Sequence, residues 1–335
     1  MIANWSSKQV VYAALVGNLL VAATKATAAT WTGSSAMLSE AVHSFVDTGN
    51  EVLLLYGMRR STQQADPEHP LGHGRELYFW SFIVSLLVFA LGAGVSIYEG
   101  VLHIRYPEPI NDPQVCYLVL GMAFLFEGVS WLVALRQFKV VKGKLGYFEA
   151  FRQSKDPPSF MVLFEDSAAL VGILIAGLGT FAATSLEMPV FDGVASILIG
   201  LLLTITASLL ARESKSLLIG ERANVKLSES ILDIANNANP ASKANGVITI
   251  HLAPDQILVA ISLEFADDLR TPQIEDLVIN IERKIRLAHP EVVTLFVKPQ
   301  TSKTFGEANQ QRFGESPPEL KGLTADVGRL FTTIT

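Results

Sequence analysis

Six apolar runs of about bilayer length, at residues 10–28, 36–57, 78–98, 115–135, 160–183 and 190–211, constrain this chain more than any other feature. A bilayer core holds no water to satisfy backbone amides, so a run of ~20 apolar residues crosses it only as a helix. Composition agrees: 17% of the 335 residues are charged, against about 25% in soluble domains. Gly and Ala recur in the runs, as in LGAGVS at 91–96 and IAGLGTFAA at 175–183, as expected where helices approach closely in lipid. Residues 1–211 therefore read as an all-α transmembrane bundle of six helices.

Basic residues set its orientation. The 58–77 loop has Arg59, Arg60 and Arg75; the 136–159 loop has Arg136, Lys139, Lys142, Lys144, Arg152 and Lys155; the sixth run ends at Arg212 and Lys215. The alternate loops 29–35 and 184–189 have no Lys or Arg, and 99–114 has only Arg105. Positive residues stay inside, so both termini are expected in the cytoplasm, with the inner (plasma) membrane as the location in a bacterium. The start MIANWSSKQ lacks a charged n-region and a cleavage pattern, so the first run is expected to remain in the mature protein. Cys116 is the single cysteine, which excludes an intrachain disulfide and a thiolate metal cluster. A net charge of -6 gives no basis for nucleic-acid binding. With no phosphate-binding Gly-rich motif or Walker lysine, a primary pump is also unfavoured.

Beyond residue 211 the pattern changes. A linker and an amphipathic helix precede GVITIHLAP and QILVAISLEFA, two strands of period 2 joined at Pro254 and Asp255. TPQIEDLVINIERKIRLAH then reads as a helix with Ile274, Leu277, Val278, Ile281 and Ile285 on one side, and EVVTLFVKP as a third strand. Residues 212–300 are thus a small α+β domain of order α-β-β-α-β, with helices over one sheet face. The tail 301–335 is rich in Thr, Gly, Ser, Gln and Pro and is read as a flexible segment.

Chemistry concentrates in the second run, AMLSEAVHSFVDTGNEVLLLYG. At 100° per residue Glu40, His43, Asp47 and Glu51 share about 80° of arc, a polar stripe on an otherwise apolar helix. Such charges cost roughly 2.5 kcal/mol or more each in hydrocarbon and persist where they face a bundle interior, a wet cavity or a metal. His43 and Asp47, one turn apart, can each give a ligand atom to one divalent ion, or form a helix-packing polar pair. Glu127, deep in the fourth run, suits ligation, proton coupling or a hydrogen bond to a neighbouring helix. Asn18, Lys25 and Asn50 are residues that orient helices or line a cavity; Lys25 either pairs with an acid or snorkels outward. Asp192 reads as an interfacial residue at the start of the sixth helix. In the loop ADPEHPLGHGRELYF, Asp66, His69 and His73 supply three N/O ligands within eight residues, suited to zinc or another borderline ion, or to local hydrogen bonding.

SEAVHSxxD at 39–47 together with HPLGHGRE at 69–76 resembles the signature of the cation diffusion facilitators, carriers that export zinc and manganese. The resemblance extends over residues about 8 to 300, and EDSAALVG at 165–172 is similar to the zinc transporter nine branch. It implies that the α+β domain is ferredoxin-like and cytoplasmic. It further implies a homodimer in the lipid bilayer that exchanges a divalent metal for protons by alternating access. That is a secondary active transporter, not an enzyme, with no cofactor beyond the transported Zn2+, Mn2+ or Fe2+. The family's transport site takes two ligands from the second helix and two from the fifth. The resemblance places these at His43, Asp47 and Asp166, while the partner four residues before Asp166 is Val162. Water, Glu165 or Glu127 could fill the fourth place, and Glu40 and Glu51 are further candidates for the site or for proton coupling. The loop triad Asp66, His69 and His73 becomes an auxiliary metal site. In the α+β domain, Ser262, Phe296 and Lys298 stand where bridging ligands would be needed, so no binuclear zinc cluster is expected there. A different class, a non-transporting membrane partner of a competent carrier, is kept open by Val162.

Overall fold

The computed structural model describes residues 7–142, 146–147, 150–151 and 154–313. It is mostly helical with one small sheet, and it divides into two compact units, one ending at Ile219 and one beginning at Gly220. Gly220 takes φ +118°, a backbone geometry that side-chain-bearing residues avoid, and the last long helix stops there.

The first unit is built from long helices: α1 (Ser7–Thr32), α2 (Ser35–Ser61), α3 (Glu76–Arg105), α4 (Pro113–Lys142), α5 (Pro157–Ser185) and α6 (Val190–Ile219). Among the described residues, four helices are long and apolar enough to cross a membrane: 76–105, 113–136, 160–185 and 190–219. α2 falls short of that measure because of the polar stripe that makes it interesting. α3 runs well past the expected 78–98, and its centre, Val88–Ala93, widens into a π-helical turn. Between α1 and α2 the chain turns on Gly33 at φ +70°, and the Ser34 hydroxyl accepts from the Met37 amide to start α2.

α3 and α6 touch backbone to backbone. A methyl added at Gly100 would lie 2.7 Å from the Gly193 carbonyl oxygen, so only glycine permits this approach. The Ser196 hydroxyl donates to the Ser96 carbonyl at 2.9 Å and also bonds Ser39, which links α6 to both α3 and α2.

Asp192 departs from the sequence reading. Its side chain is fully buried, and it starts a helix other than its own. Its carboxylate accepts from the Ser35 amide at 2.6 Å, the Ser34 hydroxyl at 2.7 Å and the Ser35 hydroxyl at 3.0 Å. The N-terminus of α2 presents unpaired amides and a partial positive charge, and α6 delivers a carboxylate to it.

The second unit has the order α7 (Val225–Asn236), β1 (Ser242–Ala253), β2 (Gln256–Phe265), α8 (Thr271–Ala288), β3 (Val292–Pro299) and α9 (Ser302–Phe313). β2 is central, antiparallel to β1 and parallel to β3. Ala253 pairs with Gln256 across the tight turn at Pro254 and Asp255. Ile231, Ala235, Leu277, Ile281 and Ile285 bury against Val259, Ile261 and Leu263 to form the core. The stretch read as a flexible tail begins with a helix instead. Ser302 ties α9 to the sheet by donating from its hydroxyl to Glu264 at 2.6 Å and Asn245 at 2.8 Å, and the Phe305 ring covers Gly246. Residues 314–335 lie outside the described residues.

Candidate metal centre

A small enclosed cavity in the first unit is lined by Asn18 of α1, Ser44, Asp47 and Glu51 of α2, Glu127 of α4, and Val162, Glu165 and Asp166 of α5. At ≈ 20 Å³ it has room for roughly one water or one ion. The stripe on α2 supplies Asp47 and Glu51, α5 supplies Glu165 and Asp166 from adjacent positions, and Glu127 faces them from α4. Five carboxylates around so small a space would repel one another strongly if all were charged, and a divalent cation offsets that repulsion.

Neutral groups hold several of the carboxylates in place. Asn18 donates to Glu51 at 2.5 Å, Asn50 to Glu165 at 3.0 Å and the Ser130 hydroxyl to Asp166 at 2.9 Å. The role of Ser130 was not read from sequence, because a serine in an apolar run carries no signal until its neighbour is known. His43 is almost fully buried, with Nδ1 3.3 Å from Asp47 Oδ1, but its ring is not part of the cavity lining. Both ring nitrogens of His43, Asp47 Oδ1 and Asn50 Oδ1 are buried without a hydrogen-bond partner. Leaving such atoms unpaired costs about 1–3 kcal/mol each; the two oxygens and the unprotonated ring nitrogen have lone pairs a cation can take, whereas the imidazole N–H does not. Val162 lines the cavity beside Asp166.

Glu40 and Lys25 meet behind this cavity. Lys25 is fully buried, not snorkelled, with Nζ 3.1 Å from Glu40 Oε2 and donating to Ser44 Oγ at 2.8 Å. Glu127 Oε1 is 3.7 Å from the same ammonium. Glu40 is thereby engaged as a counter-ion and is not among the cavity's lining residues.

In the loop between α2 and α3, the ligand atoms of Asp66, His69 and His73 lie within 4.8 Å of one another. Among the described residues this is the group of three or more ligand-type side chains gathered so closely; His43, Asp47 and Asp166 do not form such a group. Asp66 Oδ1 accepts from the His69 amide at 2.6 Å, and Asp66 Oδ2 sits 3.1 Å from His73 Nε2. Gly72, at φ +79°, turns the chain back so that His73 can reach. The His69 amide, followed by the His73 ring, draws the Asp66 carboxyl down to about 2. A depressed carboxyl stabilises the loop fully above its ordinary value near 4, and that contribution is lost as pH falls through about 2. A carboxyl carbon titration of the full-length chain is expected to show a midpoint near 2, whereas one near 4 would mean these bonds are not made.

A family model described as the cation efflux transmembrane domain matches residues 11–219. The chain belongs to the cation efflux family. Over 217 residues, 64% of this chain, it is 32% identical to a human protein named proton-coupled zinc antiporter SLC30A9, mitochondrial, covering 38% of that relative. It is 33% identical over 210 residues to metal tolerance protein C4 of Arabidopsis thaliana, 62% of this chain and 46% of the relative. It is 24% identical over 266 residues to the cation-efflux pump FieF of Escherichia fergusonii, 78% of this chain and 81% of the relative. The chain thus spans less than half the length of the first two relatives.

The family match ends where the second unit begins, and the two histidines of that unit are separately engaged. His251 is buried with Nδ1 3.2 Å from the Ala253 carbonyl oxygen, and His289 Nε2 lies 2.8 Å from Ser230 Oγ. The Ser262 hydroxyl donates to the Gln300 side chain and accepts from Asn245, and Phe296 is exposed. Anomalous scattering at the zinc edge from zinc-soaked crystals is expected to show no pair of peaks within about 4 Å inside this unit, the spacing of a bridged binuclear site.

Proposed function

We propose that this chain is a proton-coupled secondary transporter that exports a divalent transition metal, Zn2+ first, from the cytoplasm by alternating access. The observation that carries this is the acidic cavity among the long helices, with unpartnered donor atoms of His43, Asp47 and Asn50 beside it. His43, Asp47 and Asp166 bind the ion, drawn together by it, and Glu165, Glu127 or water completes the shell at Val162. Carboxylates and an imidazole bind protons in competition with metal, so arrival of one releases the other. The relatives named as a proton-coupled zinc antiporter and a cation-efflux pump support this reading. On it, the chain spans the bilayer six times with both termini cytoplasmic, the second unit is a ferredoxin-like cytoplasmic domain, and the working form is a homodimer. The loop triad is auxiliary: joint replacement of Asp66, His69 and His73 by alanine lowers bound zinc by one ion per chain and leaves flux in place.

A second reading, Mn2+ or Fe2+ as the ion, is favoured by the cavity lining itself, whose polar side chains are Asn, Ser, Asp and Glu without a ring nitrogen. Harder ions prefer such oxygen shells. The two separate in liposomes containing only this protein, with zinc, manganese, ferrous iron, cobalt and cadmium in competition at varied pH. Zinc uptake coupled to proton release is the expected result. No flux with any of these metals would leave the chain a non-transporting partner. Thiol labelling that placed residue 300 on the outer side would overturn the orientation.

A further inference from the structure

Lys25 is a residue that a cation site has reason to exclude. Its ammonium group touches Ser44 at 2.8 Å and lies 3.7 Å from Glu127, and both residues line the acidic cavity. Glu40, the nearer carboxylate at 3.1 Å, already balances its charge from outside the lining. A pair serving only to join α1 and α2 would be complete with Glu40 and Ser44. The approach to Glu127, on α4, gives the ammonium a second partner that belongs to the cavity.

We propose that Lys25 is a tethered cation of the transport cavity: its ammonium group holds the Glu127 carboxylate when no metal is bound and yields it to the metal on binding. This rests on the reading of the cavity as the transport site. Five carboxylates closing on one divalent ion would hold it tightly, and a carrier has to let go. A fixed positive charge at the wall weakens the bound state and offers Glu127 a partner to return to, so Lys25 lowers affinity and speeds release. No proton transfer is needed for this step, since one cation replaces another at the same carboxylate.

The test uses the full-length chain with Asp66, His69 and His73 replaced by alanine throughout, in lipid nanodiscs and liposomes, with zinc as the probe, reading Kd by calorimetry and KM and kcat by flux. Lys25→Met with Glu40→Gln removes the ammonium group without leaving a buried charge unpaired. In that variant Kd and KM are expected to fall by about tenfold or more and kcat to fall by about threefold or more, as the screening charge is lost. Lys25→Arg with Glu40 intact restores the parent chain's values. With Glu127→Gln added, the double substitution loses most of its effect on Kd, the coupling that marks action through Glu127. Unchanged or weakened zinc binding in a folded double variant would overturn the proposal. If the methionine variant does not fold, Lys25→Gln with Glu40→Gln, which keeps a donor for Ser44, takes the same readouts. If the parent chain, lacking only the loop triad, binds no zinc, the reading of the cavity itself falls before any variant is compared.

Discussion

Alanine in place of Asp47 or Asp166 is expected to cut metal flux by about 100-fold or more, since each removes a charged oxygen from the ion's shell. The fold should survive both changes. Asp47 Oδ1 has no hydrogen-bond partner and faces His43 at 3.3 Å, and Asp166 gives up a single bond from Ser130 at 2.9 Å. Each carboxylate sits among four others in the cavity, so removing one relieves repulsion and leaves at most the Ser130 hydroxyl to find another acceptor. Flux should therefore fall while the melting temperature holds or rises, which separates a lost ligand from a damaged bundle. Calorimetry with the loop triad removed isolates the cavity; unchanged affinity and stoichiometry in both variants would eliminate it as the binding site. Val162→His is the reciprocal change, adding an imidazole one turn before Asp166, and should tighten zinc binding and slow its release.

Glu40→Ala should produce the largest loss of stability. It strips Lys25 of its nearest carboxylate at 3.1 Å in a place where neither side chain is exposed. Breaking such a pair costs up to about 3–5 kcal/mol, with Glu127 at 3.7 Å left to offset part of the loss. In thermal unfolding this corresponds to a fall in Tm on the order of 10 °C. Lys25→Met combined with Glu40→Leu should recover most of that loss, because two apolar side chains of similar volume need no partner. If the single and double variants unfolded alike, the pair would not be contributing through its charge. Gly172 packs against the other oxygen of Glu40 so closely that an added methyl would collide with it, so Gly172→Ala should disturb the same contact from α5.

Much of this was legible in the sequence because its signals are periodic. Apolar runs marked the long helices, and alternating residues marked β1 and β2. The stripe on α2 grouped Glu40, His43, Asp47 and Glu51 by angle alone, and Asp47 and Glu51 of these line the cavity. The loop triad was equally readable, since three ligands within eight residues can meet through local turns. What sequence could not reach were pairings between distant positions. Asp192 and Ser35 are 157 residues apart, and no local pattern announces that one caps the other. Lys25 was read with two fates, and only the position of Glu40 on the facing helix decides between them. His43 shares the stripe's arc, yet its ring stands outside the lining, because a period of 3.6 fixes direction and not the depth to which a side chain reaches. The helix at Ser302–Phe313 was hidden for a similar reason, its stability coming from Glu264 and Asn245 on the sheet and not from its own composition.

The clasp of Asp192 on Ser34 and Ser35 also sets the geometry that any tilt of α2 would follow. A tilt of the helix about that end, with Ser35 as the fulcrum, would move each residue in proportion to its distance from it. At 1.5 Å of rise per residue, Asp47 lies about 18 Å along the helix, Glu51 about 24 Å and Arg59 about 36 Å. A swing of about 5° then displaces Asp47 by about 1.5 Å and Arg59 by about 3 Å. The Arg59 end would travel twice as far as the stripe, and the clasped end hardly at all.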